Sequence, residues 1–127
     1  MGALVHWYAG WSLVVAGFVS GAAMGFGFHR DEFLGAYGSL RRRLLRLGHV
    51  ALVALGMFNV LFSLLPQTTH VSSPLMHAAS VGWLGGGVAM PLVCFLAAWK
   101  PALRPAFVVP VILLLLAAVL TAAGGRP

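Results

Sequence analysis

Four long apolar runs dominate the chain. Stretches without Lys, Arg, Asp or Glu cover Ala3–Gly27, Leu47–Leu65, Leu75–Trp99 and Ala106–Ala123. Each is 18 residues or longer, near the ~20 that carry an α-helix across bilayer hydrocarbon. The runs are continuous rather than alternating, which argues against the strands of a β-barrel. No charge divides the second run from the third. Proline does so instead: Pro66 stops one helix, and Ser73 followed by Pro74 reads as N-cap and first position of the next. Between the third and fourth runs, Lys100–Pro105 holds two prolines and two cations and reads as a hairpin. The predicted fold is all-α. It is a polytopic membrane protein with four transmembrane helices in an antiparallel bundle, forming one domain over residues 1–127.

The segment Asp31–Arg46 has a different pattern. Phe33, Tyr37, Leu40, Leu44 and Leu47 follow one another at spacings of 4, 3, 4 and 3, which makes a single apolar stripe. This predicts a short amphipathic interfacial helix between the first and second spans. Arg41, Arg42, Arg43 and Arg46 then face anionic lipid headgroups.

Composition and charge sharpen the picture. Of 127 residues, 61% are hydrophobic and 8% charged, and the net charge is +6. Soluble domains run near 45–50% and about 25%, so neither a soluble globule nor a disordered chain fits. The single cysteine, Cys94, excludes an internal disulfide and classical zinc or iron–sulfur frameworks. With the first connection inside, Arg30, Arg41, Arg42, Arg43, Arg46, Lys100 and Arg104 all fall on the inner side, and only Arg126 lies outside. That bias places both termini outside the cytoplasm of an inner-membrane protein. No basic segment precedes the first run, so Met1 is expected to begin a retained helix. The cations lie at a membrane surface with no soluble module beside them, which excludes a nucleic-acid partner.

Small and polar residues mark the helix faces. Gly17, Gly21 and Gly25 form a doubled GxxxG on the first helix, and Ala78, Gly82 and Gly86 repeat the spacing on the third. Small residues four apart let helix backbones approach closely in lipid. His49, Leu52, Gly56, Asn59 and Ser63 share one stripe of the second helix. His77, Ser80, Leu84, Gly87, Pro91 and Cys94 share one of the third. Both stripes should face the bundle interior, where Asn59 is read as an interhelical hydrogen-bonding group and Cys94 as a small apolar one.

The histidines are the main chemical signal. Threading sorts them by depth: His6 and His77 near the outer side with His70 in the outer loop, His29 and His49 near the inner. His49 and His77 are about 20 Å or more apart by helical rise. Histidine is a standard axial ligand of haem iron. Pairs at matched depth, His6 with His77 and His29 with His49, are therefore candidate ligands of b-type haem. Arg46 is the propionate partner, and glycines leave room for the macrocycle. No C-x-x-C-H motif is present. The competing view gives histidines, tryptophans and tyrosine ordinary roles in the headgroup zone.

The chain makes a poor enzyme by itself, since no intramembrane Asp or Glu can work as an acid–base pair. Its length and four-helix layout resemble those of the small multidrug resistance exporters. That family needs an acidic residue in its first helix, and Met1–His29 has none. Fluoride channels share the size, and Phe58-Asn59 with Phe62 is similar to part of their pattern, but their Thr/Ser-rich central signature is missing. The cation bias argues against the dual orientation both families use, and a channel or transporter is the weakest expectation. Two expectations remain. One is an accessory subunit of a larger, respiratory-type redox complex, with b-type haem. The other is a structural or assembly protein without a cofactor. Both imply partners in the bilayer: other membrane subunits, or a second copy.

Overall fold

A computed structural model of the chain describes residues 2–65 and 74–124. The expected helix stop at Pro66, the cap at Ser73 and the loop histidine His70 lie outside the described residues. Four long helices form: α1 (Ala3–Phe28), α2 (Leu40–Ser63), α3 (Pro74–Trp99) and α4 (Val108–Gly124). A short 3-10 segment, Pro101–Phe107, leads directly into α4. Counting that segment with α4, all four are long and apolar enough to cross a membrane.

The helices pack in chain order. Gly10 meets Gly56, Gly17 meets Val53 and Gly21 meets His49, so numbers fall along α2 as they rise along α1. The same reversal relates α2 to α3 (Gly48 on Cys94, Asn59 on Gly87) and α3 to α4 (Gly82 on Ala117, Gly124 on Met76). α1 touches α3 over a short stretch, and α1 and α4 do not touch. The bundle is therefore open. Only 11% of the most apolar stretch of α1, and of α4, is buried within the chain, against 44% for α2 and for α3.

Two boundaries differ from the sequence pattern. Residues 31–46 do not form one amphipathic helix. Residues 29–39 make turns, and the arginines belong to the first turns of α2. The backbone explains the break. Leu34 and Gly35 both have positive φ, at 58° and 90°, a conformation that interrupts a helix. Ser39 then caps α2, its hydroxyl accepting from the Arg42 amide at 3.3 Å. At the other connection, Lys100–Pro105 is not an open hairpin. Pro101 occupies the first position of the 3-10 segment, where its missing N–H costs nothing, so the chain turns at Lys100 alone.

The end of the bundle where α2 begins carries an apolar core of Leu44, Leu45, Ala97 and Ala98, with Met24, Phe28, Leu34, Phe95 and Phe107 packed around it. Toward the opposite end the buried groups are polar, and these form the site.

Candidate functional site

Four helices meet in a buried polar cluster near the end of the bundle where α1 begins. Asn59 on α2 is completely buried. Its Nδ2 donates to the backbone oxygens of Leu55 at 3.0 Å and Trp83 at 3.2 Å. Carbonyls only accept, so this arrangement fixes the amide and turns Oδ1 toward His6 Nδ1, 2.9 Å away. His6 Nδ1 must therefore carry the proton. Its Nε2 is then the acceptor for the Ser80 hydroxyl at 2.7 Å. Phe62 closes the side of the ring at 4.6 Å between centroids. Trp83, whose carbonyl Asn59 uses, donates its indole N–H to Thr121 at 2.9 Å. The Thr121 hydroxyl donates to Ala117 O at 2.7 Å. One connected set of polar groups thus runs from α1 to α4, and every buried side-chain nitrogen or oxygen among the described residues has a partner. Such a cluster holds helices in register, because in hydrocarbon the alternative is an orphaned polar group.

Beside it lies a shallow groove of about 120 Å³, lined by Phe58, Leu61, Phe62, Leu65, Trp83 and Thr121. Pockets for cofactors and drug-sized ligands span roughly 300–1,000 Å³. The Phe58 ring stacks on Trp83 at 5.3 Å and forms the floor.

The second histidine station is on the N-terminal half of α2. His49 Nδ1 is 2.8 Å from Gly17 O and 3.3 Å from Ser20 Oγ. Gly17 O only accepts, so Nδ1 again carries a proton, and Nε2 makes no hydrogen bond among the described residues. Gly21 makes room for the ring: a Cβ there would come within 2.6 Å of Cε1.

The structure does not join the histidines as depth pairs. His29 caps α1 in an exposed position. It lies 12 residues beyond Gly17, about 18 Å along the axis. His49 sits that deep because α2 starts at Leu40 rather than near Leu47. His77 is exposed, one turn before Ser80, while both His6 nitrogens are committed elsewhere. These positions do not bring either depth pair together, and His49 Nε2 makes no hydrogen bond among the described residues. Among the described residues no group of three or more His, Cys, Asp and Glu could hold a metal ion.

The other candidate residues separate by role. Arg46 donates to Tyr37 O at 3.2 Å and lies over the Tyr37 ring. Arg41 donates to Ala98 O at 3.1 Å, while Arg43 is exposed. Arg42 turns inward and is 2% exposed. Its Nε donates to Phe33 O at 2.7 Å and its Nη2 to the carbonyls of Arg30 and Asp31, with Phe28 beneath the guanidinium. It ties the 29–39 turns to α2. Gly17 and Gly21 pack on α2, and Gly82 and Gly86 on α4, whereas Gly25 faces open space.

Three features escaped the sequence pattern. Among the described glycines, the closest approach to the backbone of another helix is Gly10 with Gly56, where a Cβ on either would lie 2.7 Å from the other's carbonyl oxygen. The seven-residue step from Gly10 to Gly17 carries that signal. Thr121 is a lone hydroxyl in the apolar run of α4, and such isolation points to a buried partner. Arg42 has no distinguishing mark among its neighbours. Comparison with protein-family models, curated proteins and solved structures gives no match for this chain.

Proposed function

We propose that the chain is a small accessory subunit of a larger assembly in the cell inner membrane, working through its outer helix faces rather than through a reaction of its own. On this reading the four helices cross the bilayer antiparallel, with the arginine-rich end in the cytoplasm and both termini outside. The observation that carries it is the contrast between a closed interior and open flanks. The His6–Asn59–Ser80–Trp83–Thr121 cluster satisfies itself, while α1 and α4 leave most of their apolar length uncovered. Phe18 and Val19 on α1, and Leu115 and Leu116 on α4, are all more than half exposed. A photo-crosslinking residue at Phe18 tests this in cells. A discrete adduct with another subunit supports the reading, and an adduct of two chains makes the partner a second copy. Lipid adducts alone at Phe18 and at Leu115 refute it.

A second reading has one observation in its favour. The Nδ1–H to Gly17 O bond fixes the His49 tautomer as second-shell bonds fix ligating histidines. His49 would help hold a b-type haem, together with a residue of a different chain, and the group would supply one-electron transfer. Dithionite-reduced protein should then show a Soret band that His49→Ala removes and His6→Ala leaves in place. A colourless preparation of the protein isolated together with its membrane partners from haem-supplemented cells refutes this reading without touching the first.

A further inference from the structure

We infer that the inner corner where α2 meets the end of α3 is a binding site for an anionic phospholipid, with Arg41 and Lys100 on the phosphate and α3 along the acyl chain.

The corner is built before any lipid arrives. Arg41 donates its Nε–H to Ala98 O, one of the last carbonyls of α3, at 3.1 Å. Its guanidinium lies 4.9 Å over the Trp99 ring. That carbonyl and that ring hold the side chain in one place, yet they use one of its five N–H donors. The remaining four point from a fixed planar fork, the geometry that takes a phosphate with two parallel bonds. Lys100 follows Trp99 directly and is exposed, and Arg104 stands exposed on the next 3-10 turn. Three cations therefore share this corner.

Among the described residues no carboxylate pairs with them. The only acidic side chains in the chain are Asp31 and Glu32, on the turns that follow α1. Neither forms an ion pair among the described residues. Arg42, buried beside them, is satisfied by carbonyl dipoles rather than by an opposite charge.

The wall above the cations is apolar and faces outward. Leu92, Leu96 and Trp99 are 52%, 45% and 55% exposed. Their spacing of four and three puts them on one side of α3, over a rise of about 10 Å. A phosphate at the corner would place its acyl chain against this strip, with Trp99 at the interface where indoles settle. A free phosphate, or an acidic protein segment in the cytosol, would leave the strip unused. That distinction assigns the occupant to a lipid.

The test uses the full chain, purified in neutral detergent and stripped of lipid, then given equal amounts of phosphatidylglycerol and phosphatidylcholine. Native mass spectrometry reads what each variant retains. Wild type should hold phosphatidylglycerol preferentially. Arg41→Gln with Lys100→Gln should weaken that retention by about 30-fold, at roughly fivefold for each cation near the surface. Lys100→Gln with Arg104→Gln should do so comparably, and neither side chain makes a hydrogen bond in the fold. The comparison pair is Arg30→Gln with Arg43→Gln. It removes the same charge, but Arg43 lies 200° around α2 from Arg41 at 100° per residue. An equal loss in that pair would mean net charge alone is acting and would overturn the site. Equal retention of the two lipids by wild type would overturn it as well. Displacement of phosphatidylglycerol by millimolar inorganic phosphate would reassign the corner to a free anion.

Discussion

Replacing Asn59 by leucine removes the amide that joins three helices while keeping a side chain of similar volume. Two interhelical hydrogen bonds disappear, to His6 and to Trp83 O. Bonds of this kind in a membrane protein average about 0.6 kcal/mol. The larger effect falls on His6. Its ring is 1% exposed, so an Nδ1–H without an acceptor costs about 1–3 kcal/mol. Moving the proton to Nε2 satisfies Ser80 but leaves the Nδ1 lone pair bare, so a change of tautomer does not rescue the site. The expected loss is about 2–4 kcal/mol, measurable by reversible unfolding in mixed detergent–SDS micelles followed by far-UV circular dichroism. His6→Phe should give a loss of similar size. In the double variant both orphaned ends disappear together, so its loss should fall short of the sum of the singles by about 1–3 kcal/mol. Additive losses, or an Asn59→Leu protein within ~0.5 kcal/mol of wild type, would refute the claim that these residues act as one closed unit.

Gly10→Leu should separate α1 from α2, because even a Cβ there meets Gly56 O at 2.7 Å. Thermal midpoints should fall by the equivalent of about 1–3 kcal/mol or more, while Gly25→Leu, facing open space, stays within about 0.5 kcal/mol. Arg42→Met should leave the helices assembled but release the 29–39 turns, seen as faster hydrogen exchange at the Phe33 and Gly35 amides, which donate to Arg30 O and Glu32 O. Trp83→Phe and Thr121→Val should each cost about 1 kcal/mol or more and the pair less than the sum of the two, since both remove the same 2.9 Å bond.

Much of the architecture is legible because hydrocarbon is a simple solvent. A helix satisfies its own backbone, so long charge-free runs predict long helices, and α1 and α3 agree with Ala3–Gly27 and Leu75–Trp99 to within a residue or two. Leu52, Gly56 and Asn59 of the α2 stripe and Ser80, Gly87, Pro91 and Cys94 of the α3 stripe are buried, while His77 at the start of the latter is exposed. Legibility fails at the charged segment. The apolar spacing from Phe33 to Leu47 suits a helix, yet positive φ at Leu34 and Gly35 breaks it, and Arg42 pulls the turns onto α2. That break lengthens α2 toward the cytoplasmic end in our reading and moves His49 away from the level of His29.

From sequence alone follow the number of helices, their apolar character, the one-sided cations and the small and polar stripes. All of these depend on residue type and spacing, which bilayer chemistry reads directly. Tertiary packing decides which stripe meets which. It commits both nitrogens of His6 to Asn59 and Ser80 but only Nδ1 of His49, to Gly17 O and Ser20. It buries Arg42 while Arg41 stays at the surface, and it leaves α1 and α4 apart so that the bundle is open. These outcomes depend on how closely two backbones approach, at Gly10 and Gly56 above all, and distance between helices is not a property of any one helix.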